Sequence, residues 1–290
     1  MQARSVQRVI PALATSDGAG VKLLRSLGSR QDARVDPFLM LDEFGTENSD
    51  DYIAGFPSHP HRGFETVTYM LDGHMEHRDH LGHVGNLGPG GVQWMTAGRG
   101  VIHSEMPRQT EGRMRGFQLW INLPATEKMK PAHYRDIPAI EIRVVALPQG
   151  GTVKVIAGTA TIGGKSVAGP INSGVSRLST DPLYLDVQLA AGAAFEHVIS
   201  KDYNAFAYVF EGSATTGNEV TPLPTSSAAI FAARGEGVRI QAGPNGARFL
   251  LLAGKPIREP MVQYGPFVMN TREEIMQAMR DYQDGKLVTA

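Results

Sequence analysis

Apolar and polar residues alternate with a period of two over many short runs of this chain. Phe117, Leu119, Ile121 and Leu123 share one face of an extended segment, and Gln118, Trp120 and Asn122 share the other. Successive side chains of a strand point to opposite faces, so the pattern predicts a strand there. Phe64–Leu71, rich in β-branched and aromatic residues, is the clearest strand and closes on the Asp72-Gly73 turn pair. Val35–Glu43, with Phe38 and Met40 on one face, and Val92–Thr96 read the same way. Further along, Ile140–Ala146, Val153–Gly158, Leu183–Leu189, Ala205–Glu211, Ala228–Phe231, Val238–Ala242 and Ala247–Ala253 repeat the pattern. Short strands separated by turn residues predict an all-β sandwich or barrel architecture.

Two stretches break this rhythm. Pro124–Pro138 is polar, carries three prolines and lacks an apolar period, so it is the expected domain boundary. The division it suggests is 1–130 and 131–290, with antiparallel barrels over 1–124 and 139–258. Residues 271–284 change to helical spacing: Ile275, Met279 and Tyr282 form a stripe, Glu273 and Glu274 sit in the first turn, and Gly285 stops the run. A short helix with its apolar stripe packed on a domain, outside the barrels, is expected, and the second domain's range ends in it. The runs "YMLDG" (Tyr69–Gly73) and "YVFEG" (Tyr208–Gly212) are the best internal match between the halves.

Composition narrows the function. A length of 290 residues exceeds what one core usually fills, which agrees with two domains. The formal net charge of -1 gives no global field for nucleic acid or an anionic membrane. The absence of cysteine excludes disulfides, thiolate metal sites and cysteine nucleophiles, and fits a reducing compartment. No apolar run has the length of a membrane span, and the first residues lack the continuous apolar centre of a signal peptide. The expectation is a cytoplasmic monomer. No P-loop, dinucleotide fingerprint, serine nucleophile elbow or nucleic-acid motif is present.

The candidate chemistry lies between Phe56 and Pro107. His59 and His61 are two apart, as are His103 and Glu105. On neighbouring strands, three imidazoles and one carboxylate can converge on a point. That set suits a borderline divalent metal, and open positions beside it are typical of non-haem Fe(II) chemistry. Pro60 cannot donate to a ladder, which places this strand at an edge or barrel mouth. Glu65 shares the parity of His61, which makes it a rival ligand or, as preferred here, an acceptor that orients a histidine, unless Arg62-Gly63 breaks the register. His74, His77, His80 and His83 read as solvated turn residues, with His80 and His83 near enough to the mouth to carry protons. His133 and His197 are assigned no role. Arg99, Arg108, Arg113 and Arg115 form a basic run beside the site, usually a solvated face. Trp94, Met95 and Phe117 read as barrel core; if a flat aromatic ligand enters the barrel, Phe56, Met95 and Phe117 are the expected apolar walls.

Four words carry a resemblance: "HPHRGFETVTYMLDG" (His59–Gly73), "WMTAGRGVIHSEMP" (Trp94–Pro107), "QLWINLP" (Gln118–Pro124) and "GPFVMNTREEI" (Gly265–Ile275). With these the chain resembles the pirin family of bicupins. The resemblance implies two jelly-roll-like cupin domains, the first with one metal and the second with none. It implies His59, His61, His103 and Glu105 as the ligands, demotes Glu65, and makes Fe(II) the expected cofactor, other transition metals remaining open. Some members resemble quercetin 2,3-dioxygenases. This implies a flavonol such as quercetin as substrate, with Glu105 as the catalytic base. Others are transcriptional co-regulators, which implies instead an iron-bound, redox-responsive protein acting through protein partners. In that case the Gly98-Arg99-Gly100 turn links the ligands to the nearby arginines.

Overall fold

A computed structural model of the chain describes residues 1–30, 32–173, 177–217 and 219–288. The chain forms two compact units that interleave in sequence. One contains residues 14–25, 38–139 and those from 257 onward; the other contains 1–13, 26–37 and 140–256. Both are built of antiparallel, jelly-roll-like sheets.

The first unit holds a seven-stranded sheet. Its order is His133–Ile137, Val92–Thr96, Phe64–Asp72, Met114–Asn122, Phe38–Thr46, Val21–Arg25 and Leu13–Asp17. A four-stranded sheet in the same unit runs Phe56–His61, Val101–Pro107, Met75–Asp79 and Val84–Leu87. The central Phe64–Asp72 strand is buried on both faces, with Phe64, Val67, Tyr69 and Met70 fully enclosed. That is why its sequence lacks polar alternation.

The second unit is a nine-stranded sheet around one continuous apolar core. Its spine is Asn204–Thr216, Gly237–Gly254, Leu183–Leu189 and Gly151–Ala157. Leu185, Val187, Ala207, Phe249 and Leu251 are fully buried in that core. Val238–Ala242 and Ala247–Ala253, expected as two strands, lie on the single strand Gly237–Gly254.

Three expectations of organisation differ from the structure. Residues 124–138 are not only a connection: His133–Ile137 is a strand that pairs with Val92–Thr96 and completes the edge of the first unit's sheet. The N-terminal strand Val6–Pro11 pairs with Ser227–Phe231 in the second unit. The helix, Arg272–Gln283, belongs to the first unit rather than the second: Ile275 and Ala278 pack with Phe267, Met269 and Leu287, and Ile102 lies against them. Asp281 on the helix also pairs with the Arg62 guanidinium at 2.6 Å. Its start follows the expected chemistry: Thr271 caps Glu274 N, and the Glu274 carboxylate accepts from Thr271 N at 2.9 Å.

Candidate metal centre

The four-stranded sheet brings the two histidine words together. His103 lies opposite His59 on one neighbouring strand and opposite Asp79 on the other. A register shift between His103 and Glu105 sets Glu105 opposite Phe56 and His77. Gly63, with φ of 91°, ends the His59-His61 strand. A Cβ there would sit 2.0 Å from the Val268 carbonyl oxygen, so only glycine fits.

His59, His61 and His103 each offer a nitrogen, and the three nitrogens lie within 4.8 Å of one another. His59 Nε2 and His61 Nε2 are 3.0 Å apart. His59 Nδ1 donates to the Pro57 carbonyl at 2.8 Å, which leaves its Nε2 as a lone pair. His103 Nδ1 meets His77 Nε2 at 2.7 Å, while His103 Nε2 is buried with no protein partner. Two nitrogens bound to one cation at roughly 2.1 Å and about 90° to each other stand about 3.0 Å apart, so the observed spacing fits a shared metal. Burial, reinforced by the neighbouring imidazoles, holds the His61 and His103 pKa values well below the usual histidine value. Neutral imidazoles are the form a metal requires.

Glu105 is buried beside this set but outside the group of three nitrogens. Gln118 Nε2 donates to Glu105 Oε2 at 3.2 Å, and the single Thr68 hydroxyl proton is shared between Gln118 Oε1 at 2.7 Å and Glu105 Oε1 at 3.0 Å. These contacts fix the carboxylate's orientation. His59, His61 and Glu105 line one end of a cavity of about 580 Å³, within the range of small-molecule sites. Its apolar walls are Leu23, Met40, Phe44, Phe56 and Trp120, and Asp17, Arg25 and Asp42 also line it.

Several sequence expectations change here. His77 is not a solvated turn residue: it is buried, and its contact with His103 Nδ1 is the kind that orients a metal-bound imidazole. Its place on the Met75–Asp79 strand, paired with Glu105, was the missed signal. Glu65 does not orient a histidine. It lies on the opposite face of its strand from Thr68, accepts from Thr96 Oγ1 at 2.7 Å, and has its pKa raised by burial. The turn at Arg62-Gly63 resets the parity that the sequence carries forward from His61.

Phe56 walls the cavity as expected, but Phe117 and Met95 do not. Phe117 stacks near Tyr69, on the face opposite Gln118 and Trp120. Met95 lines a separate cavity of about 410 Å³ with His80, His83, His133 and Tyr134. His83 there pairs with Asp79 at 2.8 Å. The basic run is largely tied up: Arg108 pairs with Glu76, Arg113 with Asp72, and Arg115 with Glu43.

Comparison with known proteins follows this geometry. Residues 20–121 match the family model described as Pirin, and residues 184–288 match the Pirin C-terminal cupin domain. The chain belongs to the pirin family. This pirin is 55% identical over 274 residues to a Pseudomonas aeruginosa protein named "Putative quercetin 2,3-dioxygenase", covering 94% of each chain. It is 49% identical to a pirin-like protein of Caulobacter vibrioides, covering 99% of this chain and 100% of the other. Its structure superposes on a quercetin 2,3-dioxygenase from Acinetobacter baumannii with a TM-score of 0.87, at 31% identity and 99% coverage of both. The fold is thus that of two cupin domains, and the three-histidine cluster of the first has the composition and spacing that fit a metal site. Among the described residues, no helix is long and apolar enough to cross a membrane.

Proposed function

We propose that this pirin is an Fe(II)-dependent dioxygenase that opens the heterocycle of a flavonol such as quercetin with loss of carbon monoxide. The observation that carries the reading is the juxtaposition at one cavity end: three imidazoles, the Glu105 carboxylate, and aromatic and aliphatic walls. His59, His61 and His103 would hold the metal, and Glu105 would be its fourth ligand. A bound Fe(II) supplies a Lewis acid for the flavonol oxygen and a centre for O₂ chemistry.

The chain's own groups do the rest. His77 holds His103 in the tautomer that presents Nε2. Thr68 and Gln118 lie against Glu105, whose carboxylate would accept the flavonol hydroxyl proton. Trp120, Met40 and Phe44 present the apolar walls of a slot for a flat ring system, and their burial of it excludes water from the reacting end.

The test is oxygen uptake with quercetin by the Fe(II)-loaded protein. Turnover is expected to vanish on chelation, return with Fe(II), and be lost in His59→Ala and Glu105→Ala. A fully loaded protein that neither consumes O₂ nor depletes quercetin above a free-iron control would overturn the reading. The iron-bound regulatory role would then stand in its place.

A further inference from the structure

Of the proposed metal ligands, His59, His61 and Glu105 line the cavity. A row of polar side chains leads away from them across the seven-stranded sheet. Thr68 lies opposite Gln118, Gln118 opposite Asp42, and Asp42 opposite Arg25. Neighbouring strands are about 4.8 Å apart, so Arg25 lies about 10 Å from Gln118, the residue that holds Glu105. That is comparable to the length of a three-ring flavonol.

The far end of the row is built and rigid. Arg25 Nε donates to Asp42 Oδ1 and Nη2 to Oδ2, both at 2.7 Å, and Nη2 also donates to Asp17 Oδ2 at 2.9 Å. Arg25 Nη1 has no acceptor among the described residues, and the side chain is partly open to the cavity. The hairpin that carries Asp17 is pressed against the rim of the site. Gly18 lies so close to Phe56 that a Cβ would approach its ring to 2.6 Å, and Ala19 N donates to Gly55 O at 3.0 Å.

The fold does not require these charges. The tyrosines of "YMLDG" and "YVFEG" put Thr68 and Ala207 at the same strand position. From there the second unit's row reads Ala207, Leu251, Leu185 and Val155, all fully buried and apolar. A buried ion pair in place of packed hydrophobes generally gives no net gain in stability. Stability alone therefore does not account for Asp42, at 2% exposure, beside Arg25.

We propose that Arg25, Asp42 and Asp17 form a distal subsite that recognises hydroxyl groups on the far ring of the substrate. This inference rests on the flavonol reading and names the substrate class within it. Arg25 Nη1 donates to a phenolic oxygen, and the carboxylates of Asp42 and Asp17 accept its proton. A catechol, with two adjacent hydroxyls, matches this mixed donor and acceptor set. Two carboxylates against one guanidinium disfavour a sulfate or carboxylate on the same ring.

The experiment is calorimetric titration, under anaerobic conditions, of the full chain both metal-free and Fe(II)-loaded. The probes are quercetin, 3-hydroxyflavone, quercetin methylated on both far-ring hydroxyls, and a far-ring quercetin sulfate. Quercetin is expected to bind about tenfold more tightly than 3-hydroxyflavone and the dimethyl ether, with the sulfate weaker still. Arg25→Gln with Asp42→Asn should compress this range to about twofold. The exposed Asp17→Asn change, which leaves the buried pair intact, should narrow it by about threefold. Equal affinities for all four probes in the unaltered chain overturn the subsite, as does an unchanged range in Asp17→Asn. Discrimination without oxygen uptake sinks the dioxygenase reading and keeps the subsite. Oxygen uptake without discrimination does the reverse, and no binding of any probe removes both.

Discussion

On the strand Phe64–Asp72, Thr66 and Thr68 share the face that reaches Glu105. At the matching positions of Asn204–Thr216 stand Ala205 and Ala207, both fully buried in the second unit's apolar core. The contrast extends across the sheets: where one unit has Gln118, Asp42 and Arg25 along its row, the other has Leu251, Leu185 and Val155 at the corresponding places. At these places one unit is lined by packed apolar side chains and the other by a polar row. The same strand framework accommodates either lining. The polar half trades packing for fixed donors and acceptors.

The largest effect on that contrast is expected from Leu251→Ala. It removes a fully buried side chain between Ala207 and Leu185, and should cost about 2–5 kcal/mol of stability. Chemical denaturation checks the cost, and metal content should not change. A loss of bound metal would break the division of labour between the units.

A smaller effect concerns His197, a buried histidine in the second unit whose pKa burial lowers to about 4. Above the unfolded value of about 6.5 the folded and unfolded states are both neutral there, and its full stability contribution is present. As pH falls from about 6.5 towards 4, the unfolded chain binds a proton that the folded chain refuses. Stability should then drop by about 2–3 kcal/mol. Denaturation of the metal-free chain across this range, compared with His197→Phe, checks it. Parallel profiles for the two proteins would count against the assignment.

Gln118→Leu, which gives the polar row the residue found at the matching place in the other unit, should have the smallest effect on folding. Stability is expected to stay within about 1 kcal/mol. Metal affinity should fall about tenfold, because Glu105 loses a donor that orients it. Competition with a chelator of known affinity measures it, and unchanged affinity would remove Gln118 from the site.

Much of this was legible in the sequence because it depends on local periodicity. The pairs His59/His61 and His103/Glu105, the strand ending at Asp72-Gly73 and the capped helix are all set by neighbours in the chain. What was not legible depends on pairing between distant segments. His77 gains its role only by lying opposite Glu105. The Met114–Asn122 strand is buried on both faces, so its alternation could not tell Trp120 from Phe117 as a wall of the cavity. Glu65 misled because one left-handed glycine at position 63 resets the parity. The helix and the N-terminal strand went astray because each packs on a unit remote from it in sequence.

The central claim is that the first unit holds one metal through its histidine cluster. Anaerobic Fe(II) loading of the metal-free chain, followed by desalting and metal analysis, tests it most directly when the native protein and His61→Ala are compared. One retained equivalent is expected in the native chain and loss of retention in the variant, with affinity lowered by more than about 100-fold. A His61→Ala protein that still keeps one equivalent, or a native chain that keeps none, would contradict it.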